Sequence, residues 1–285
     1  MTKRVARTQK LRGVGLGSSV RQIVLITMTL LAVAPTYIMF SGAFKTQDEF
    51  LNSPFSFPRH FHFNGFRSAW TDQFPQWLAN SFAVTTFSVL LTETFAAFAA
   101  WGFARFPFKG RETLLGVFVS LMVVPPVVLL IPLFQVGVQL NLVSTLRLVI
   151  IIYVGLMLPF SVYMLTNYFK SIPESILESA NIDGASSFRT FRSIVLPLSG
   201  PSLVTLAVVN LLWAWNELLL ALVFLQNNNK KTLMVGITGF QSRYSLDIPT
   251  VMAGRSIATF PLIVAYLFGQ RFFIAGLTAG STKGE

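Results

Sequence analysis

The sequence predicts an all-α membrane protein with six transmembrane helices, both termini in the cytoplasm and a short cytoplasmic helix between spans four and five. Two observations carry this prediction. Hydrophobic residues make up 53% of the 285 residues and charged residues only 12%, whereas soluble domains carry about 25% charged residues. In addition, the 22 Lys and Arg residues gather on one side of the predicted spans.

Six segments are long and apolar enough to cross a bilayer, which takes about 20 residues. The first is too long for the apolar core of a signal peptide, about 7–15 residues, so we predict that it is retained. Asn141, Ser144-Thr145 and Arg147 divide the third span from the fourth at about 136–146. Pro125-Pro126 predicts a kink in the third. The predicted spans are 23–44, 77–103, two within 113–169, 201–225 and 250–272.

Orientation follows from the positive-inside rule. If the N-terminus is inside, fourteen basic residues fall in cytoplasmic segments and eight elsewhere. The chain then divides as follows: a basic cytoplasmic tail (1–22), a first span (23–44), an external loop (45–76), a core transmembrane domain (77–275) and a cytoplasmic tail (276–285).

Several classes of site and partner are excluded by composition. The chain has no Cys, which excludes disulfides and thiolate metal sites. Its two histidines, His60 and His62, lie in the predicted external loop without a zinc-protease motif, so we expect neither a metal site nor an intramembrane enzyme. The basic N-terminus lacks the aromatic platform of a nucleic-acid arm, which leaves the lipid bilayer as its partner.

A polar insert, Ser171–Pro201, separates the fourth span from the fifth. Ser171-Ile172-Pro173-Glu174 has the form of a capping box with Pro in the first turn, which predicts a helix at 173–182. Gly184 can adopt a positive φ and end that helix, and a second helix is predicted through Phe188 and Phe191. The insert either enters the groove of a partner or packs on its own bundle.

The insert resembles the EAA loop of ABC-importer permeases, whose extended pattern is Glu-Ala-Ala-x-x-Asp-Gly-Ala followed by Ile-x-Leu-Pro. The sequence departs from this pattern at Ser179, where the family usually has Ala. It matches at Glu178, Ala180, Asp183, Gly184, Ala185, Ile194, Leu196 and Pro197.

Further motifs in the same order resemble the carbohydrate-uptake branch of this family, and in particular the smaller, six-span permease of maltose-type systems. The likeness covers most of residues 23–284. The motifs are Asn80-Ser81, Phe103-Ala104-Arg105, Gly110-Arg111, Ile131-Pro132-Leu133, Trp215-Asn216-Glu217, Gly276-Leu277-Thr278-Ala279-Gly280 and Lys283-Gly284.

The resemblance implies a permease of the bacterial cytoplasmic (inner) membrane that moves a sugar, oligosaccharide or polyol by alternating access and is not itself an enzyme. It implies four partners: a larger permease subunit, two copies of a cytoplasmic ATPase that binds ATP and Mg, and an extracytoplasmic solute-binding protein. The residues implied to couple to the ATPase are Glu178, Ser179, Ala180, Asp183, Gly184, Ala185, Ile194, Leu196 and Pro197. The tail Thr278–Glu285 either reaches between the ATPases or is a frayed end.

Polar residues inside the spans suggest a translocation path. Ser81, Thr85, Ser88 and Thr92 follow helical spacing, and this polar face either lines the path or bonds neighbouring helices. Glu217 and Arg255 lie at similar depths, which predicts an intramembrane ion pair, formed directly or through water. The path candidates are Asn80, Ser81, Thr85, Ser88, Thr92, Glu93, Asn210, Trp213, Asn216 and Glu217.

The alternative function is an ion-coupled secondary transporter with Glu93 as the ion carrier. Such a transporter would not need the insert 171–201.

Overall fold

The computed structural model describes residues 16–71, 73–240 and 247–281. Within these ranges all regular structure is helical. Four helices are long and apolar enough to cross a membrane, or up to six if each of two bent helix pairs counts as one span. The prediction of an all-α membrane fold is therefore confirmed. Residues 1–15 of the predicted basic tail and 282–285 of the C-terminal tail lie outside the described residues.

The helix bounds within the described ranges are α1 (Leu16–Ala43), α2 (Gln47–Asn52), α3 (Asn64–Ala69), α4 (Phe74–Arg105), α5 (Arg111–Leu121), α6 (Leu130–Gln139), α7 (Leu146–Ser171), α8 (Glu174–Ile182), α9 (Ser187–Thr190), α10 (Leu196–Leu198), α11 (Gly200–Asn216), α12 (Leu219–Phe224), α13 (Leu233–Thr238) and α14 (Ile248–Ser281). Two 3-10 turns (Pro126–Leu129 and Asn228–Lys230) and one π-helical turn (Phe191–Val195) lie between them. The membrane-length helices are α1, α4, α7 and α14.

The predicted third span is broken. A bend of 91° separates α5 from the pair formed by Pro126–Leu129 and α6. The break falls at Pro125-Pro126, as predicted, because proline lacks the backbone N–H that the helix needs and restricts the residue before it. The predicted division before the fourth span is also confirmed, since Asn141 takes a φ of 54° and Ser144 a φ of 60° between α6 and α7.

Helices α4 and α7 form the centre of the bundle. Ala96 and Ala100 of α4 are buried in one hydrophobic cluster with Leu165 and Phe169 of α7. Small residues allow helices to approach closely inside a membrane, where lipid removes the hydrophobic drive for association. A second cluster, around Tyr153, joins the other half of α7 to α11 and α12.

The predicted fifth span, 201–225, is two helices with a joint at Glu217. The Glu217 carboxylate accepts hydrogen bonds from the backbone N–H groups of Leu220 at 2.8 Å and Ala221 at 3.0 Å, at the start of α12. It also accepts one from the Tyr153 hydroxyl at 2.7 Å. A carboxylate is favourable at a helix N-terminus, where backbone N–H groups lack partners. Glu217 thus ties α12 to α7.

The direct ion pair predicted between Glu217 and Arg255 is not formed in this structure. Arg255 is exposed, and the ion pairs among the described residues join Arg111 and Lys170 to Glu112 instead. The physical reason is that Glu217 already has three donors close to it along the chain and on α7, which compensate its burial without a cation.

Side chains at the start of α4 hold the segment 228–233, which leads into α13. Asn80 donates from its amide to two backbone carbonyl oxygens of that segment, each at 2.9 Å. Trp77 donates to a third carbonyl, and Ser81 accepts from a backbone N–H. Gly236 in α13 then lies so close to the Trp77 ring that an added Cβ would overlap the ring atoms.

The loop after α1 is organised by the buried side chain of Lys45. Its ammonium donates to the carbonyl oxygens of Ser53 at 2.7 Å and Pro54 at 3.1 Å, and to the hydroxyl of Ser56 at 3.3 Å. Burial lowers the pKa of Lys45, while the nearby Glu49 carboxylate acts in the opposite direction. The Lys45 side chain therefore ties the end of α1 to the segment that follows α2.

We expect Gly236→Ala to destabilise the chain by about 1–3 kcal/mol, because the new methyl group must displace the Trp77 ring. Thermal unfolding of the full chain in detergent measures this as a lower Tm. Gly116→Ala is the matched control, since a Cβ there meets nothing within 4 Å. Equal Tm values for the two variants would contradict the close contact.

We expect Glu217→Ala to lower stability by about 2–3 kcal/mol, because three donors lose their acceptor. Arg255→Gln should leave the Tm unchanged. The Tm of each variant distinguishes the observed hydrogen bonds of Glu217 from an ion pair between Glu217 and Arg255. A decrease in Tm of similar size in both variants would support the ion pair.

Candidate functional site

The insert 171–201 folds into α8, a turn at Gly184, α9, the π-helical turn and α10. The helix predicted at 173–182 is observed at Glu174–Ile182. The predicted capping box is wrong, because the Ser171 hydroxyl donates to the Tyr168 carbonyl at the end of α7. Pro173 instead occupies the N-cap position of α8, without a side-chain cap. Ser171 therefore finishes the preceding helix and does not begin the next.

The turn at Gly184 is a Schellman motif. Gly184 has a φ of 74°, as the sequence predicted. The N–H of Ala185 donates to the Ala180 carbonyl at 2.9 Å, and the N–H of Gly184 donates to the Asn181 carbonyl at 3.0 Å. These two bonds satisfy carbonyls that the end of a helix leaves free. The Ala-x-x-Asp-Gly-Ala spacing is thus the spacing of a rigid helix end.

The chain re-enters a helix immediately after this turn. Ser186 is the N-cap of α9, and its hydroxyl accepts from the Arg189 N–H at 3.3 Å. A capped helix end followed at once by a capped helix start leaves little free backbone between α8 and α9.

Helix α8 has two different faces. Leu177 and Ala180 point inward and are 8% and 5% exposed. Glu178 and Ile182, which are one turn apart, are both exposed, and Ile182 is 85% exposed. Ile176 and Phe188 of the insert are exposed as well, at 36% and 60%. Several exposed apolar side chains on one segment suit a partner that covers them.

Two side chains of α4 fasten the insert to the bundle. The Arg105 guanidinium donates to the carbonyl oxygens of Phe169 at 2.6 Å and Ile172 at 3.1 Å, where α7 ends. The Trp101 indole N–H donates to the Ser187 hydroxyl at 3.3 Å. A cavity of about 250 Å³ lies between these anchors and α8, and both Glu174 and Glu178 line it.

Phe191 anchors the second half of the insert. It is 2% exposed, and its ring lies 5.3 Å from that of Phe98, 5.7 Å from that of Trp101 and 6.4 Å from that of Phe169. Aromatic rings at such distances attract each other beyond simple burial. Phe191 also begins the π-helical turn, a form that often marks functional sites.

Of the remaining residues that the resemblance marked in this half, Leu196 packs against the same hydrophobic cluster as Phe191. Ile194 is partly buried and Pro197 is exposed. These residues lie on the chain that leads from the insert into α11, whereas Glu178, Ser179, Asp183 and Gly184 are exposed around the end of α8.

The path candidates fall into two groups. Glu93, Trp213 and Glu217 are partly buried, and Asn216 is exposed. The Asn210 amide donates to the Ser161 hydroxyl at 3.1 Å, which bonds α11 to α7. Hydrogen bonds to other segments favour the bonding interpretation for three buried candidates, Asn80, Ser81 and Asn210. Thr85, Ser88 and Thr92 are also buried, but the hydroxyls of Ser88 and Thr92 have no hydrogen-bond partner among the described residues.

Sequence reasoning missed the anchors of the insert and its most exposed apolar residue. Trp101 and Ile182 are ordinary apolar residues in the sequence, and Arg105 and Phe191 were noted only as parts of a motif and of a predicted helix. A signal existed for Ile182, since an isoleucine between Asn181 and Asp183 does not suit a solvated helix end. No signal in the sequence distinguished Trp101 or Phe191 from the other aromatic residues.

No group of three or more potential metal-ligating residues occurs among the described residues. His60 and His62 lie with their ring centroids 6.4 Å apart.

Comparison with known proteins supports the resemblance to importer permeases that the sequence motifs indicated. The family model "Binding-protein-dependent transport system inner membrane component" matches residues 94–278. The trehalose/maltose transport system permease protein MalG of Thermococcus litoralis is 36% identical over 265 residues, which cover 91% of this chain and 95% of that one. The melibiose/raffinose/stachyose import permease protein MelC of Bacillus subtilis is 31% identical and covers 99% of this chain and 100% of its own.

A solved structure shares the fold. A chain of a bacterial ABC transporter involved in the import of the acidic polysaccharide alginate superposes with a TM-score of 0.80. The two chains are 22% identical, and the match covers 95% of this chain and 100% of the other. With the family model covering well over half of the sequence, the chain belongs to the family of binding-protein-dependent transport system inner membrane components, and it is a multi-pass inner-membrane permease that matches the carbohydrate-uptake branch of ABC importers.

Proposed function

We propose that this chain is one of two permease subunits of an ATP-driven importer, and that it moves a sugar, oligosaccharide or polyol into the cell by alternating access. A larger permease is its membrane partner, and an extracytoplasmic solute-binding protein delivers the substrate. Two copies of a cytoplasmic ATPase bind ATP and Mg. The chain itself performs no covalent chemistry.

The observation that carries this proposal is the two-faced helix α8. Its inner face is fixed by Leu177 and Ala180. Ile182 is almost fully exposed, and Glu178 is exposed at the edge of the cavity between α8 and α4. Together with the exposed Ile176 and Phe188, Ile182 gives the insert an apolar surface that suits burial in a cleft on another protein. We infer that the cleft belongs to the ATPase.

A push on α8 has a short route into the membrane. Arg105 joins the end of α4 to the end of α7, and Trp101 and Phe191 join α4 to the second half of the insert. Movement of α8 is therefore passed to two membrane-length helices through hydrogen bonds and ring contacts. A flexible loop would absorb the same movement.

Contacts between loops support the cytoplasmic placement of the insert. Lys170 beside the insert lies 3.7 Å from Glu112 in α5, so the loop before α5 and the insert share one end of the bundle. Both segments are rich in basic residues, namely Arg105, Lys109 and Arg111 in the first and Lys170, Arg189 and Arg192 in the second. Basic residues favour the cytoplasmic side, and both termini inside is the topology that agrees with this.

The sugar class rests on the relatives, whose names include trehalose, maltose, melibiose, raffinose and stachyose. Trp213 and Asn216 remain our candidates for contact with such a substrate. The Trp213 ring lies 5.3 Å from that of Tyr153, and Asn216 is exposed at the end of α11. Sugars bind through stacking on aromatic rings together with hydrogen bonds.

The proposed function is tested with proteoliposomes that contain this chain, its partner permease, the ATPase and the solute-binding protein. We expect uptake of a radiolabelled maltose-type oligosaccharide only when ATP is enclosed with the ATPase. Collapse of proton and sodium gradients with ionophores should leave the rate unchanged. Uptake that needs an ion gradient and no ATP would establish a secondary transporter instead.

We expect Gly184→Asp to reduce ATP-driven uptake by at least about tenfold, because it places bulk and charge where α8 meets the ATPase. Gly110→Asp is the matched control. Both glycines have a positive φ, 74° and 83°, and both have open space around a new Cβ, so the backbone strain of about 1–2 kcal/mol is shared.

Uptake by the Gly110→Asp transporter should stay within about twofold of the unmodified transporter, with equal amounts of each variant in the purified complex. Glu178→Arg should behave like Gly184→Asp. Equal losses at Gly184 and Gly110 would show that backbone strain, and not docking, is the cause.

A further inference from the structure

A second cavity separates the middle of α4 from the second half of the insert. Its volume is about 440 Å³, and its apolar walls include Phe98, Phe188 and Leu203. Two charged residues face it from opposite sides, Glu93 of α4 and Arg192 of the π-helical turn. This cavity is distinct from the one that Glu178 lines beneath α8.

Glu93 has no partner in this structure. It lies twelve residues before the end of α4, and its Oε1 atom is buried without a hydrogen bond among the described residues. A carboxylate within a membrane-spanning helix is costly unless it meets a cation, a donor or water. The residue therefore lacks the interaction that would justify its position.

Arg192 is the cation placed to supply that interaction. It is exposed and makes no ion pair or side-chain hydrogen bond within the part of the chain that the structure describes. The other basic side chains at this end have different positions. Arg105 bonds to carbonyls of α7, Lys170 and Arg111 contact Glu112, and Arg189 does not line the cavity.

The backbone around Arg192 can reorient it. Arg192 lies in the π-helical turn Phe191–Val195, in which the N–H of Leu196 donates to the Phe191 carbonyl. A π turn carries an extra residue, so its conversion to an α turn rotates the neighbouring side chains about the helix axis by about 100°. Phe191, held by three aromatic rings, is the fixed point of that rotation.

We propose that Glu93 and Arg192 form an ion pair across this cavity in a second conformation of the transport cycle. In that conformation the ion pair locks the insert to the middle of α4. Arg192 then acts as a positioning residue, because it holds α4 and does not contact the substrate. This inference rests on the proposed function, since it requires an insert that moves when ATP is used.

The pair explains why both charges are left unpaired in the present conformation. The equilibrium between two conformations of a protein depends on the interactions that one conformation makes and the other lacks. A buried carboxylate and a nearby free cation are such a difference, because the cavity must narrow for them to meet and the apolar rings around it exclude water.

The first test is a set of charge variants in the reconstituted transporter. Glu93→Gln and Arg192→Gln should each reduce ATP-driven uptake by about tenfold, and the double neutral variant should lose no more than either alone, because both remove one interaction. Arg192→Lys and the exchange of Glu93→Arg with Arg192→Glu should recover most of the rate. Arg189→Gln is the matched control and should transport normally.

The second test measures proximity and does not depend on the rate. The chain contains no Cys, so a Glu93→Cys and Arg192→Cys pair gives this chain two defined thiols. A short bifunctional thiol reagent should link them at least about threefold more in one nucleotide condition, ATP-trapped or nucleotide-free, than in the other. The pair Glu93→Cys with Arg189→Cys should show no such difference.

The outcomes separate the two proposals. If the unmodified transporter showed no ATP-driven uptake, both the proposed function and this inference would be overturned. Normal uptake combined with independent, multiplying losses at Glu93 and Arg192, or with equal cross-linking in both nucleotide conditions, would overturn the ion pair alone.

Discussion

The contact between the Arg105 guanidinium and the carbonyl oxygens of Phe169 and Ile172 is the interaction on which the functional end of this molecule depends. The last carbonyls of a helix have no partner within it and carry the negative end of its dipole. A cation from α4 satisfies those of α7 at the point where the chain leaves for α8. The ends of α4 and α7 and the start of the insert are therefore joined, so α8 and these two helix ends move together.

Features that depend on local backbone chemistry could be predicted from the sequence. Gly184 ends α8 with a positive φ, Asn141 turns the chain before α7, and Pro125-Pro126 breaks the third span. Each follows from the allowed dihedral angles of one or two residues, whatever the rest of the chain does. The EAA-type spacing in this chain has the same origin. The N–H of Ala185 donates to the carbonyl of Ala180, five residues earlier, and this is one of the two hydrogen bonds of the Schellman motif.

Features that depend on competition between partners could not be predicted in the same way. Similar depths of Glu217 and Arg255 suggested an ion pair, but depth along a helix says nothing about rotation around its axis. Glu217 finds nearer donors in α12 and on Tyr153, and Ser171 bonds backward into α7. In both cases a polar group has several possible partners, and the folded chain supplies the nearest one.

The groups that remain unsatisfied are the part of the structure that bears on movement. Most polar ends in the insert are capped or bonded, yet Ile182 is left in solvent, and Glu93 and Arg192 face one cavity without meeting. A permease that alternates between two conformations needs both to have similar free energies. A conformation in which every polar group were satisfied would be too stable to convert to the other. The contacts of Arg105, Trp101 and Phe191 determine which helices move when the insert moves. The unpaired Glu93 and Arg192 are the groups whose interactions can differ between the two conformations.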